Sequence, residues 1–236
     1  MTTGTRILKL ITVRRYRVPA LTVLLAVVWA HSQAAASGPW DSTELALMKS
    51  GEVIVEILYK GQPGGAARVS AMFSGNGEAL WDVIGDCRYE LIYVNGLQEC
   101  EVLQSGNSNM IIRHRVRNSW YAPTLDFSFT ADRTADGKGV ARLLDGNLKL
   151  LESSWEVTPL EGVGTLIESE RASIVTHEIR VQPKFLAPRW LIRRSLLRDL
   201  PDMLACVRGL ANASAGQPEV LADRQRCPGD ISTLSK

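Results

Sequence analysis

The sequence predicts an α+β fold in which a curved antiparallel sheet of about six or seven strands wraps around a long C-terminal helix. The first observation is a series of short β-branched and aromatic segments separated by turn sequences. The clearest of these segments, residues 124–132, alternates strictly between apolar and polar side chains. The second observation is that Asp136-Gly137 and Asp145-Gly146 are hairpin signals, so consecutive strands pair antiparallel.

The third observation is a long helical stretch over residues 188–210. Its apolar side chains recur at helical spacing, at Trp190, Leu197, Leu200, Leu204 and Val207. An alternating sheet must bury its apolar face, and this stretch is the only predicted helix long enough to cover one. A curved sheet around a single helix leaves a cavity between them, so the pattern itself predicts a pocket.

Shorter elements precede the strand meander. Asp41 and Glu44 have the spacing of a helix capping box, which predicts a helical segment within residues 37–50. Residues 52–59 and 68–73 read as the first two strands. Residues 77–85 then predict a helix, followed by a short helical piece at residues 89–94.

The N-terminal 36 residues predict a secretory signal peptide. They combine five basic residues, no acidic residue, an eleven-residue apolar run at Ala20–Ala30 and small residues at Ala34–Ala36. The apolar run is shorter than the ~20 residues that a membrane-spanning helix needs. We therefore expect cleavage after Ala36 and export to the periplasm or the medium, with an uncleaved N-terminal membrane anchor as the alternative.

The charge of the remaining chain excludes a class of partner. Without the five basic residues of the leader, 22 Lys and Arg face 25 Asp and Glu, a net charge of −3. Nonspecific nucleic-acid binding needs a basic surface, so no nucleic-acid partner is expected. The predicted organisation is a signal peptide at 1–36, a helical segment at 37–50, one domain at 51–211 and a polar tail at 212–236.

Four cysteines follow the predicted leader, and an even number suits an oxidising compartment. Three pairings are open, and we predict the two that close short loops, Cys87–Cys100 and Cys206–Cys227. The alternative is a zinc site. It is disfavoured because the sequence has no C-x-x-C spacing and no histidine close in sequence to a cysteine.

An ordered set of segments carries a resemblance to a known superfamily. The set comprises Val69–Phe73, Leu80–Asp86 (LWDVIGD), Tyr89, Glu99–Leu103, the pair Ser154–Val157 and Gly164–Leu166, and Arg198–Leu204. Together they resemble the SRPBCC superfamily of START-like or helix-grip proteins, in particular the polyketide cyclase/dehydrase and coenzyme Q-binding group. The resemblance covers roughly residues 50–211.

This resemblance implies a helix-grip fold that binds, and transports, a hydrophobic small molecule such as a lipid or isoprenoid. The alternative that it implies is a polyketide cyclase or dehydratase acting on an aromatic or polyketide substrate. No cofactor and no metal is expected, because the sequence contains no phosphate-binding glycine loop and no zinc-protease motif.

The candidate ligand-binding residues come from the predicted concave face and the closing helix. His114 lies in phase with apolar neighbours on its strand and would supply a polar contact to a ligand. Aromatic side chains would supply apolar contact area. The candidates are Ile112, His114, Trp120, Tyr121, Phe127, Phe129, Trp155 and Leu197. His177 is expected at the surface, near the end of the last strand.

A basic stripe on the closing helix is a second candidate surface. It consists of Arg189, Arg193, Arg194 and Arg198, with Trp190 and Phe185 beside it. Such a stripe suits transient contact with anionic lipid at a membrane surface. The alternative is a solvated face opposite the apolar side of the helix.

Overall fold

The computed structural model describes residues 40–58, 63–74, 77–106, 109–117, 122–134, 137–160, 172–214 and 227. The predicted signal peptide, residues 1–36, lies outside the described residues. So do Gly164–Leu166, the candidate ligand residues Trp120 and Tyr121, and positions 215–226 and 228–236 of the predicted tail.

The described chain forms a strand-rich fold whose longest helix comes last. In order, the elements are α1 (Ser42–Lys49), β1 (Ile54–Ile57), β2 (Gly65–Ser74), α2 (Glu78–Trp81), α3 (Cys87–Tyr93), β3 (Leu97–Ser105), β4 (Asn109–Val116), β5 (Leu125–Arg133), β6 (Lys138–Gly146), β7 (Leu148–Pro159), β8 (Ala172–Pro183) and α4 (Arg189–Ser214).

The eight strands of the described chain form one antiparallel sheet in the order β1-β2-β8-β7-β6-β5-β4-β3. The predicted α+β fold with an antiparallel sheet and a C-terminal helix is confirmed, with one strand more than the upper number expected. The position expected for His177, near the end of the last strand, is wrong, because β8 runs from Ala172 to Pro183. This extension carries His177 into the interior of the sheet.

Helix α4 packs its apolar side against the inward-facing residues of β2. Its buried side chains Leu196, Leu200, Leu204 and Val207 recur every three or four residues and form one core cluster with alternate residues of β2. Gly65, the first residue of β2, permits the close approach of α4 to this strand, because a Cβ at Gly65 would lie 2.8 Å from the side chains of both Ile192 and Leu196. None of the helices in the described residues is long and apolar enough to cross a membrane.

The short helices α1 and α3 pack at opposite edges of the sheet, α1 against β1 and β2 and α3 against β3. The predicted capping box at α1 is present, with Asp41 accepting from the backbone of Glu44 and the Glu44 carboxylate accepting from the backbone of Asp41. Helix α3 is capped by Asp86, whose carboxylate accepts from the backbone N–H of Arg88. Glu90 and Tyr93 are buried on α3, at helical spacing from Cys87.

Candidate functional site: a cavity between the sheet and α4

A cavity of about 860 Å³ lies among strands β4–β8, helix α3 and helix α4. This volume falls within the range of about 300–1,000 Å³ typical of small-molecule sites. The lining is dominated by aliphatic and aromatic side chains, among them Phe127, Phe129, Leu148, Ile179, Leu196 and Met203. Such a wall binds apolar surface by removing it from water.

Four of the sequence-predicted ligand residues line this cavity: His114, Phe127, Phe129 and Trp155. Ile112 shares the face of β4 that carries His114, but it is fully buried in a second core cluster, which includes Leu97 and Phe129, and it is not part of the cavity wall. Leu197 is not among the lining residues either. Leu196 and Leu200, four residues apart on α4, face the cavity instead.

His114 is held by a carboxylate that no pattern in the sequence indicated. Its Nε2 lies 2.5 Å from Glu90 Oε2, and each residue is only 7% exposed. The hydroxyl of Tyr93 donates to Glu90 Oε1 at 3.4 Å. Burial, together with the neighbouring Glu90 carboxylate, raises the pKa of Tyr93 well above its ordinary value of 10.0, so this phenol remains a hydrogen-bond donor.

The Cys87–Cys100 disulfide borders this pair. Cys100 lies directly opposite His114 in the β3–β4 register. Its Sγ is 3.4 Å from His114 Nε2 and 3.5 Å from Glu90 Oε2. Both predicted disulfides, Cys87–Cys100 and Cys206–Cys227, are present. In this oxidised state the sulfurs are not thiolates, so the cluster does not offer the cysteine ligands that the zinc alternative requires.

A second buried histidine lines the cavity on β8. His177 is 4% exposed, which contradicts its expected surface position. Its ring stacks on that of Trp155, with centroids 4.0 Å apart, and its Nδ1 lies 3.1 Å from the Ser154 carbonyl oxygen. Burial lowers the pKa of His177 from 6.5 to about 4, because the charged imidazolium loses its hydration there. Trp155 and His177 lie opposite each other on the adjacent strands β7 and β8. Their contact follows from the register of this strand pair, which the sequence does not specify.

An apolar rim borders the cavity where β8 leads into α4. Phe185 and Trp190 line the cavity edge, and Trp190 remains 64% exposed. Leu186 between them is fully exposed. The predicted arginine stripe lies on the first turns of α4, with Arg193 and Arg194 both exposed. Large apolar side chains that stay in water beside basic ones suit a contact with another surface.

Comparisons with known proteins agree with this architecture. Residues 78–208 match the family model described as polyketide cyclase/dehydrase and lipid transport. Human STARD10 is similar over 77% of this chain and 83% of its own, with 11% identity and a TM-score of 0.56. A STAR-related lipid transfer protein fragment from Xanthomonas axonopodis is similar over 68% of this chain and 93% of its own, with 13% identity and a TM-score of 0.53.

An enzyme is also among the similar structures. The Zhui aromatase/cyclase from Streptomyces sp. R1128 aligns over 64% of this chain and 94% of its own, with 15% identity and a TM-score of 0.48. No curated protein matches the sequence.

Proposed function

This chain belongs to the polyketide cyclase/dehydrase and lipid transport family, and we propose that it binds and transports a hydrophobic small molecule, such as a lipid or isoprenoid, in the cavity beneath α4. The observation that carries the proposal is the cavity of about 860 Å³ with its aliphatic and aromatic wall. Each 100 Å² of apolar ligand surface buried there would contribute about 2.5 kcal/mol.

The apolar rim supports a route for loading. A ligand that is poorly soluble in water must enter from another apolar phase. Trp190 is exposed at the cavity edge and Leu186 is exposed in the segment that leads to it, and both would insert into the surface of a bilayer. Arg193 and Arg194 lie on the same turns of α4 and would contact anionic headgroups, at about 1 kcal/mol each.

The predicted leader and the two disulfides support action outside the cytoplasm. Structural disulfides form and persist in oxidising compartments. Together with the sequence pattern of residues 1–36, they favour a chain that is exported, processed after Ala36 and oxidised in the periplasm or the medium. Sequencing the N-terminus of the mature protein tests this step, and an N-terminus at Ser37 is expected.

The binding proposal is tested by what co-purifies with the protein. The full chain is expressed with its leader in a Gram-negative host, purified from the periplasm and examined by native mass spectrometry and solvent extraction. We expect an apolar molecule to remain bound. A ligand-free protein whose melting temperature does not respond to a panel of lipids would reject the proposal.

A matched pair of variants links the bound molecule to the cavity. Ala141 lines the cavity on β6, so Ala141→Trp fills part of its volume. Leu144 lies on the same strand and is 55% exposed, so Leu144→Trp places the same ring in solvent. We expect Ala141→Trp to lose the co-purifying molecule and Leu144→Trp to retain it.

The Glu90–His114 pair supports a second candidate function, a cyclase or dehydratase acting on an aromatic or polyketide substrate. A histidine oriented by a carboxylate in an apolar cavity is a usual arrangement for moving a proton. Turnover of a polyketide substrate by the wild type, abolished in a folded His114→Ala variant, would support this function. Turnover that His114→Ala leaves unchanged would remove His114 from it.

A further inference from the structure

His177 has a defined tautomer within the cavity wall. A carbonyl oxygen can only accept a hydrogen bond, so Nδ1 carries the proton that is donated to the Ser154 oxygen. The pKa of about 4 keeps the ring neutral near pH 7, and a neutral imidazole holds one proton. Nε2 therefore presents a lone pair and acts as an acceptor only.

This acceptor is open to the cavity. Among the residues that the structure describes, no side chain or backbone group hydrogen-bonds to Nε2 of His177. In the same part of the chain, every fully buried side-chain nitrogen or oxygen has a partner. Nε2 has no such partner and is therefore not fully buried, and His177 lines the cavity. Stacking on Trp155 holds the ring in this orientation.

The cavity wall that follows His177 along β8 is apolar. The residues that follow His177 on the inner face of β8 are Ile179, Val181 and Pro183, and all of them line the cavity. At about 3.3 Å per residue, this row extends about 20 Å from His177 to the end of the strand beside the apolar rim. A ligand lying along the row would therefore place one end at His177 and the other near the rim.

We infer that His177 recognises a hydroxyl group, and that the molecule bound in this cavity is an apolar alcohol whose O–H donates to Nε2. The inference rests on the proposed binding function and specifies its ligand. An ether, a ketone or a carboxylate has no proton to donate and would place a second lone pair against Nε2. An ammonium group would donate, but it would lose its hydration against this apolar row of side chains.

The test compares an alcohol with its methyl ether, in which a methyl group replaces the hydroxyl proton. Dodecanol and dodecyl methyl ether compete with anilinonaphthalene sulfonate bound to the purified full-length protein. We expect dodecanol to displace the probe at about a tenfold lower concentration than the ether, the effect of one hydrogen bond with an otherwise unpaired buried acceptor. In His177→Phe, which keeps an aromatic ring against Trp155, the two compounds should compete equally.

The outcomes separate this inference from the function on which it rests. Equal competition by the alcohol and the ether in the wild type overturns the hydroxyl assignment and leaves apolar binding intact. A preference that survives in His177→Phe and disappears in Ser153→Ala, another polar residue of the cavity wall, overturns the role of His177. If neither compound competes, the binding function fails and the hydroxyl assignment fails with it.

A measurement on the unaltered protein keeps the inference testable if His177→Phe does not fold. Long-range proton–nitrogen NMR correlation distinguishes a protonated ring nitrogen from an unprotonated one. We expect Nε2 of His177 to be unprotonated, and its nitrogen signal to move on addition of dodecanol but not of the ether. A proton on Nε2, or identical responses to both compounds, would overturn the assignment.

Discussion

Glu90 Oε2 and His114 Nε2 lie 2.5 Å apart in the cavity wall, although 24 residues separate them in sequence. Glu90 comes from α3 and His114 from β4, so the contact joins a short helix to the sheet. Because both side chains are nine-tenths buried, each depends on the other to satisfy its polar atoms. This pair is the main polar feature that the sequence alone did not reveal.

The first prediction concerns this pair. Glu90→Leu should lower the free energy of unfolding by about 3 kcal/mol, because it leaves the partner of a buried pair uncompensated. The double variant Glu90→Leu/His114→Phe should be more stable than the sum of the two single changes predicts, by at least about 1 kcal/mol. Urea unfolding measures both quantities.

The control for this comparison of single and double variants is a carboxylate on the surface. Glu99 pairs with Arg115 while both side chains are largely exposed, so Glu99→Gln should change stability by no more than about 0.5 kcal/mol. Strictly additive effects of Glu90→Leu and His114→Phe would contradict a coupled buried pair.

The second prediction concerns the disulfides. The Cys87–Cys100 bond joins residues that are 13 apart in sequence, so Cys87→Ala/Cys100→Ala should cost about 3 kcal/mol in the free energy of unfolding. Thiol titration of the denatured, unreduced wild type should detect no free thiol. Four titratable thiols would reject both bonds, and an unchanged urea midpoint in the double variant would reject the stabilising role.

The third prediction is a loss of stability in mild acid. The folded state holds the pKa of His177 at about 4, below the ordinary 6.5, so the unfolded chain binds the proton more readily between these values. Stability should therefore be fully present above about pH 6.5 and fall by about 3 kcal/mol as the pH decreases to 4.

His177→Phe provides the control for this pH dependence. The variant should lack the His177 contribution to the slope between pH 6.5 and 4, as measured by urea unfolding across the range. The pKa values of Asp86 and Asp126 are lowered, chiefly by hydrogen bonds from Arg88 and Arg113, so their contributions are lost only at more acidic pH. A wild-type slope that matches that of His177→Phe would argue against a neutral buried His177.

The fourth prediction concerns the apolar rim. Leu186→Ser and Trp190→Ser should each weaken binding to vesicles that contain anionic phospholipid by about tenfold, since a bilayer would bury a large apolar side chain at each position. Leu144→Ser, which alters an exposed leucine on β6, is the control and should bind as the wild type does. Equal binding of all four proteins in a vesicle flotation assay would exclude the rim as a membrane contact.

The α+β fold could be predicted because its determinants are local. Alternation along β5 shows which side chains share a face, and the three- or four-residue spacing of Leu200, Leu204 and Val207 does the same for α4. Short separations also favoured the two disulfide pairs that are present. These features depend on residues that are close in sequence, where the geometry of a strand, a helix or a short loop is known in advance.

The cavity wall could be predicted only in part. Phe127, Phe129 and Trp155 follow from the inward face of their strands, whereas Ile112 lies on the same face as His114 but is covered completely by its neighbours. The depth of a side chain below a surface depends on what packs over it. The spacing of apolar residues along the sequence contains no information about what packs over each side chain.

The sequence by itself determined which side chains each strand and helix presents to its own two faces. Only the tertiary structure decided which of those side chains meet, as with Glu90 and His114, and that β8 extends far enough to bury His177 against Trp155. The physical reason is that local backbone geometry sets the direction of a side chain. Its neighbours, its hydration and therefore its chemistry depend on strand register and on helix packing between segments far apart in the chain.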